Sequence, residues 1–164
     1  MIQRIQTLYL IITILLSGSL FFLPLSIKII PHTSSQDTTL KVAYMMNIYG
    51  VTKYENDKPV SHTKDFFLLL LNASTALISI AAIGLYKKRK VQIKLNRLSL
   101  LLVTAFMVLD FYFSDAMGYE ITANIKPEYQ AGSYFPLLQI ILLMITTRAI
   151  KKDDDLVRSA ERIR

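Results

Sequence analysis

The sequence predicts an all-α membrane protein: a four-transmembrane-helix bundle with a small extracytoplasmic antiparallel β-sheet. Three observations predict it. Four apolar runs, at residues 8–25, 66–86, 95–113 and 134–150, each match the roughly 17–25 residues that cross a hydrocarbon core. Basic residues crowd the segments that four spans would leave on one side of a bilayer. The two long hydrophilic stretches, residues 26–65 and 114–133, carry strand and turn patterning. With 52% hydrophobic residues and a mean hydropathy of +0.38, a chain of this size cannot hide four such runs in a soluble core. The whole chain, 1–164, reads as one membrane domain.

The first run contains Ser17-Gly18-Ser19, small residues that resemble a signal-peptide cleavage site. Residues 20–25 carry the apolar run past them to a spanning length. It is therefore read as a retained helix, with Pro24 in its final turn, where a missing backbone donor matters least. The second run holds Asn72, Thr75, Ser79 and Ala82 at helical spacing. Such a stripe lets helices approach closely and hydrogen-bond across the contact. A conduction pathway would use a similar lining, although this one is neither charged nor continuous. Asn72-Ala73-Ser74 matches a glycosylation acceptor, but inside a span no transferase reaches it. Thr13 with Ser17, and Gln139 with Thr146, are placed for the same bonding in the first and fourth runs.

The third run contains Asp110, the one acid inside any run, and an intramembrane carboxylate is a candidate functional site. It lies about one turn from the outer end of the run, where hydration or an outer-loop lysine would neutralise it. Asp110 and Asn72 together form the candidate intramembrane polar site.

Charge gives the orientation. Residues 87–97 hold six basic residues and no acid, and Arg4 and the segment from Arg148 bring the basic residues on that side to 13 of 19. Short basic loops stay on the cytoplasmic side, so both termini are expected there. The remaining six lysines share the two outer stretches with seven acids. The net charge of +7 is then a topology signal with some attraction to the lipid bilayer's anionic headgroups. No aromatic or folded platform accompanies the basic loop, so nucleic acid is not an expected partner.

In the first outer stretch, Leu40, Val42, Tyr44, Met46 and Ile48 alternate with their neighbours at the period of a strand. Gly50 interrupts the pattern, residues 51–54 resume it, and residues 55–58 read as a turn before Pro59 and Val60. Residues 119–125 supply a further candidate strand. Three or more strands seated on the helices would be stable where a lone hairpin would not.

The absence of cysteine removes disulfide scaffolds, thiol redox chemistry and cysteine–zinc sites. His32 and His62, with Asp37 or Asp65, are too dispersed to define a metal site. No nucleophile–base pair or phosphate-binding motif is legible, so no catalytic residue, cofactor or enzyme activity is assigned.

After the fourth run, Leu156, Val157, Ala160 and Ile163 fall on one face of a helix, with Arg158, Glu161, Arg162 and Arg164 covering the rest. Asp153, Asp154 and Asp155 are placed at its N-terminus, where the helix dipole favours negative charge. Two readings remain open: a surface helix against the headgroups, and a docking site built from Leu156, Val157, Arg158, Ala160, Arg162 and Ile163. So short a segment is not helical alone; continuity with the fourth span, or docking, must hold it.

The opening MIQRIQTLYL, the segment GSYFPLLQIILL and the closing RAIKKDDDLVRSAERIR resemble an uncharacterised family of small four-helix membrane proteins from Bacteroidota. The resemblance implies a multi-pass protein of the bacterial inner membrane and supplies no activity. The family's signature ends correspond to Gln3, Arg4, Gln6, Arg148, Arg158, Ser159, Arg162 and Arg164, all on the expected cytoplasmic side. The reading that follows is a non-catalytic membrane scaffold or accessory subunit with a protein partner. A small oligomeric transporter or channel is the alternative, and an enzyme acting on lipid has no residues to support it.

Overall fold

Stretches rich in leucine, isoleucine and alanine wind into helices because every backbone polar group is then satisfied within its own segment. The computed structural model describes residues 3–33, 39–56, 58–86, 88–117 and 125–162. In chain order the elements are α1 (Gln3–Ser19), β1 (Ser26–Thr33), β2 (Thr39–Asn47), β3 (Gly50–Glu55), β4 (Lys58–Lys64), α2 (Phe67–Gly84), α3 (Arg89–Ala116), β5 (Glu128–Tyr129) and α4 (Ala131–Arg162). Among the described residues three helices are long and apolar enough to cross a membrane: α2, α3 and, within α4, Ala131–Val157. The 17-residue α1 is shorter. The helices close a ring in which α1 and α3 each pack on α2 and α4.

The bundle is polar inside and apolar outside. Thr13, Ser17, Thr75, Ser79, Asn96, Ser99 and Thr146 are buried, while Leu15, Leu70, Leu77, Leu101 and Val108 stand outward and exposed. An aqueous surface would penalise that arrangement, and a lipid one favours it. Apolar cores sit at two levels. Leu10, Ala82, Val103 and Leu143 fill one within the bundle. Leu20, Leu25, Met46, Ile48, Leu68, Phe106 and Met117 fill the other, beneath the sheet.

The five strands run antiparallel in the order β4-β3-β2-β1-β5. The expectation of an all-α protein is therefore too narrow, since much of the first outer stretch is strand. β2 and β3 form the expected hairpin, with Asn47 opposite Gly50. Gly50 is obligatory: its φ is +132°, and a Cβ there would meet Thr63 O at 2.1 Å. β3 and β4 are joined through Asn56, which takes the left-handed φ of 50° that asparagine tolerates. β4 is exposed along its length, and Pro59 with Lys58 and Lys64 suits an edge that should not recruit another strand. The candidate strand at 119–125 falls outside the described residues except for Ile125, which is not in a strand. The strand of that stretch is β5, pairing Ser26 with Tyr129.

Helix bounds depart from the apolar runs in three places. α1 stops at Ser19, so Pro24 lies beyond the helix and not in its last turn. The apolar residues Leu20 and Leu25 are used in the core beneath the sheet, and Leu25 N donates to Met46 O at 2.8 Å. α3 starts at Arg89, so most of the basic loop is helix, leaving a short turn in which Lys88 N donates to Leu85 O. α4 continues without a break to Arg162, which places the three aspartates mid-helix and not at an N-terminus. The tail is held by continuity with the preceding apolar helix.

Candidate functional site

The polar interior is a set of bonds between helices. Asn72 Nδ2 donates to Ser17 O at 2.9 Å, tying α2 to α1. Gln139 Nε2 donates to Ser17 Oγ at 3.0 Å, tying α4 to α1. Asn96 Nδ2 reaches Leu143 O at 2.8 Å and Thr147 Oγ1 at 2.6 Å, tying α3 to α4. Thr13 and Thr75 instead donate to their own helix four residues back. The Asn72, Thr75, Ser79 and Ala82 face is buried as one stripe of α2. α3 holds a longer one, Gln92, Asn96, Ser99, Val103, Phe106, Asp110 and Ser114, at alternating steps of mostly four and three. The spacing is visible in the sequence, but only once the helix is extended back into the basic loop.

Asp110 sits where the bundle meets the sheet and is fully buried. The hydroxyls of Ser114 and Ser133 adjoin it. Ser133 Oγ donates to Leu25 O at 2.7 Å, while Ser114 Oγ shares a 2.7 Å bond with Ser26 Oγ in which either hydroxyl can be the donor. Neither carboxyl oxygen of Asp110 has a hydrogen-bond partner within the described residues. Ser133, its one proton spent on Leu25 O, presents lone pairs toward the carboxyl. A buried carboxyl left without a partner in such surroundings is costly.

Of the two alternatives for Asp110, hydration or an outer-loop lysine, no lysine pairs with it among the described residues. Lys28 is buried, yet its Nζ donates to Met117 O at 3.0 Å and Asp115 O at 3.5 Å. There it meets carbonyls at the C-terminal end of α3, where the helix dipole favours a cation. Lys28 was hidden from sequence reasoning because the buried face of β1 is Ser26, Lys28 and Ile30, two polar residues where alternation leads one to look for apolar ones.

At the opposite end, Arg89 Nη2 meets Asp153 Oδ2 at 3.0 Å, clamping the start of α3 to α4 with both side chains largely buried. Beyond that clamp Leu156 is 49% and Val157 39% exposed. Arg158 and Ala160 lie within the helix, Arg162 is its final residue, and Ile163 falls outside the described residues. Of the sparse histidine set, His62 Nδ1 is 2.9 Å from Thr52 Oγ1, and Asp65 Oδ1 accepts from Phe67 N. Among the described residues no group of three histidine, aspartate or glutamate side chains is gathered to hold a metal.

With this geometry in place, the chain belongs to the family described as Domain of unknown function (DUF4293), whose model matches residues 2–163. The uncharacterised family indicated by the chain's opening and closing segments is thus established over nearly the full length, and it brings no activity with it. No curated protein matches the chain.

Proposed function

We propose that the protein is a non-catalytic, four-span protein of a bacterial inner membrane, with both termini cytoplasmic. In this reading it is a scaffold or accessory subunit that presents the sheet outside and the end of α4 inside. The basic asymmetry along the chain supports the orientation, and the apolar exterior supports the membrane. The α1 helix, packed between α2 and α4, serves as the fourth span.

One observation carries the reading. α4 runs unbroken from the sheet junction to Arg162, and beyond the Arg89–Asp153 clamp it exposes Leu156 and Val157. An apolar pair on a rigid extension is a docking element for protein. The test replaces Leu156 and Val157 with aspartate and compares stoichiometric partners after crosslinking and purification in detergent. A partner lost from the variant while insertion is intact supports the scaffold. Retention of every partner refutes the tail's part in it. Reporter fusions near Asn56 test the orientation, and a cytoplasmic signal there overturns it.

The second reading, a small oligomeric transporter, is favoured by the unpartnered Asp110 alone. Ion or proton flux through the purified protein in liposomes, abolished by Asp110→Asn, would select it.

A further inference from the structure

Among the described residues α2, α3 and α4 are long enough to cross a membrane, and α1 is shorter. Tyr86, just past α2, shares a cleft with Gln6 and Leu8, which sets the start of α1 level with the end of α2. From Phe67 to Tyr86 the chain rises about 28 Å, close to the roughly 30 Å of a hydrocarbon core. From Gln6 to Ser19, α1 rises only about 20 Å. The missing length falls on residues 20–25, which are turn and not helix.

The turn is tied down on both flanks. Phe21 N donates to Gly18 O, Phe22 N to Ser19 O and Leu25 N to Met46 O, and Pro24 has no N–H to satisfy. Leu20 and Leu25 are buried beneath the sheet, and the Phe21 ring meets Tyr49 edge-on with centroids 6.2 Å apart. Between these anchors Phe22 is 89% exposed, more than any other large apolar side chain among the described residues. One exposed ring needs no explanation. This one has company at its own level. Phe66, Phe67, Tyr112 and Tyr134 are also exposed, and each lies within two residues of Leu68, Phe113 or Ser133 at the junction of bundle and sheet. Between that level and Tyr86 the exposed large apolar side chains of the helices carry no ring, as at Leu77, Ile80, Leu101 and Ile141. Tyr86, itself exposed, closes the band at the other end. Aromatic rings at both margins of an aliphatic band mark the two levels where lipid gives way to water.

We propose that residues 20–25 complete the first crossing as a non-helical turn seated in the outer interfacial zone of the bilayer, with the Phe22 ring inserted between headgroups and upper acyl chains. Irregular backbone is kept out of lipid because bare polar groups are costly there, and the donors of Phe21, Phe22 and Leu25 are bonded to helix and sheet. The occupant is lipid and not a second protein. The five rings come from the outer ends of all four helices, which close in a ring, so they surround the bundle, whereas a protein partner covers one side. The inference rests on the membrane reading and adds to it the level at which the bilayer's outer face meets the chain.

The chain has no tryptophan, so one introduced indole is a sole reporter of depth. Phe22→Trp, Tyr112→Trp, Leu101→Trp and Val60→Trp are each reconstituted, as full-length protein, in phosphatidylcholine vesicles. The acyl chains carry bromine either near the headgroup or near the chain end, and iodide is supplied on both sides of the membrane. Positions 22 and 112 should lose more emission to shallow bromine than to deep. Leu101, 63% exposed and midway along α3, should give the reverse order. Val60, 58% exposed on β4, should be quenched by iodide and by neither lipid. Iodide quenching at position 22 equal to that at position 60 puts the turn in water and overturns the proposal. Stronger quenching there by deep bromine overturns the interfacial level. Shielding from iodide and from both lipids overturns it as well, because a protein copy or partner then covers the ring. Each of these leaves the membrane reading intact as long as position 101 responds to deep bromine. No bromine quenching at position 101 overturns the membrane reading and the anchor with it.

Discussion

Replacing Asp110 by asparagine should make the protein more stable. In the wild type both carboxyl oxygens are buried without a hydrogen-bond partner, and Ser133, its proton committed to Leu25 O, has only lone pairs to turn toward them. A buried polar atom left unpaired costs about 1–3 kcal/mol. Asparagine keeps the shape, carries no charge in any protonation state, and offers an N–H₂ to the Ser133 or Ser114 oxygen. One of the two orphaned positions is then satisfied, for a gain of about 1–3 kcal/mol. For a chain of this length that corresponds to a rise of roughly 3–9 °C in the thermal midpoint. The assay is helical circular dichroism during heating in mild detergent, with Ser133→Ala as a counterpart that should lower the midpoint by removing the buried bond from Ser133 Oγ to Leu25 O, a carbonyl that keeps Gln130 N as its other donor. If Asp110→Asn lowers the midpoint as much as Ser133→Ala, the carboxylate is compensated in the protein and the reasoning fails.

Asn96→Leu removes two bonds from α3 to α4, and Asn72→Leu one bond from α2 to α1. In a membrane these are worth about 0.6–1.7 kcal/mol each, so in detergent titrations the Asn96 variant should unfold first and both before wild type. Gly50→Ala forces a Cβ against Thr63 O at a φ of +132°. It should cost at least about 1–3 kcal/mol and expose the β3–β4 hairpin to proteolysis while the helices persist. Burial, reinforced by the charge of Asp115, pushes the Tyr129 phenol above its ordinary 10.0. Its contribution to stability is therefore complete below about pH 10 and declines as pH rises through the higher folded value. The difference in 295 nm absorbance between wild type and Tyr129→Phe should show that phenol ionising later than a free tyrosine.

Apolar length was a good guide to helices and a poor one to their ends. Residues 20–25 look like the last turns of a span because leucine and phenylalanine are equally at home in lipid and in a protein core. Leu25 is in fact drawn into the sheet by its bond to Met46 O. The start of α3 was obscured in the opposite way: Arg89, Lys90 and Lys94 lower the hydropathy, yet lysine and arginine are good helix formers. β2 announced itself by alternation. β4 did not, since both its faces meet solvent and no apolar period is required. The Asp153–Asp155 cluster resembled a helix start, while its structural use is the Asp153 contact with Arg89, 64 residues away in the chain. Asn72 was legible as a polar contact, and Asp110 as an anomaly. What the sequence could not show is that Ser114 and Ser133 adjoin Asp110, with Ser26 bonded to Ser114, so that three elements meet there.

At 1.5 Å per residue the 32 residues of α4 form a rod about 48 Å long. Near one end, Gly132 lets the rod press against the Pro24 carbonyl, which a Cβ would approach to 2.5 Å. The segment just before the rod is bonded to the chain entering the sheet, Gln130 N donating to Leu25 O, and the Arg89–Asp153 pair fixes the rod again near its other end. A single unbroken helix thus joins the strands at one end of the bundle to Arg162 beyond the other.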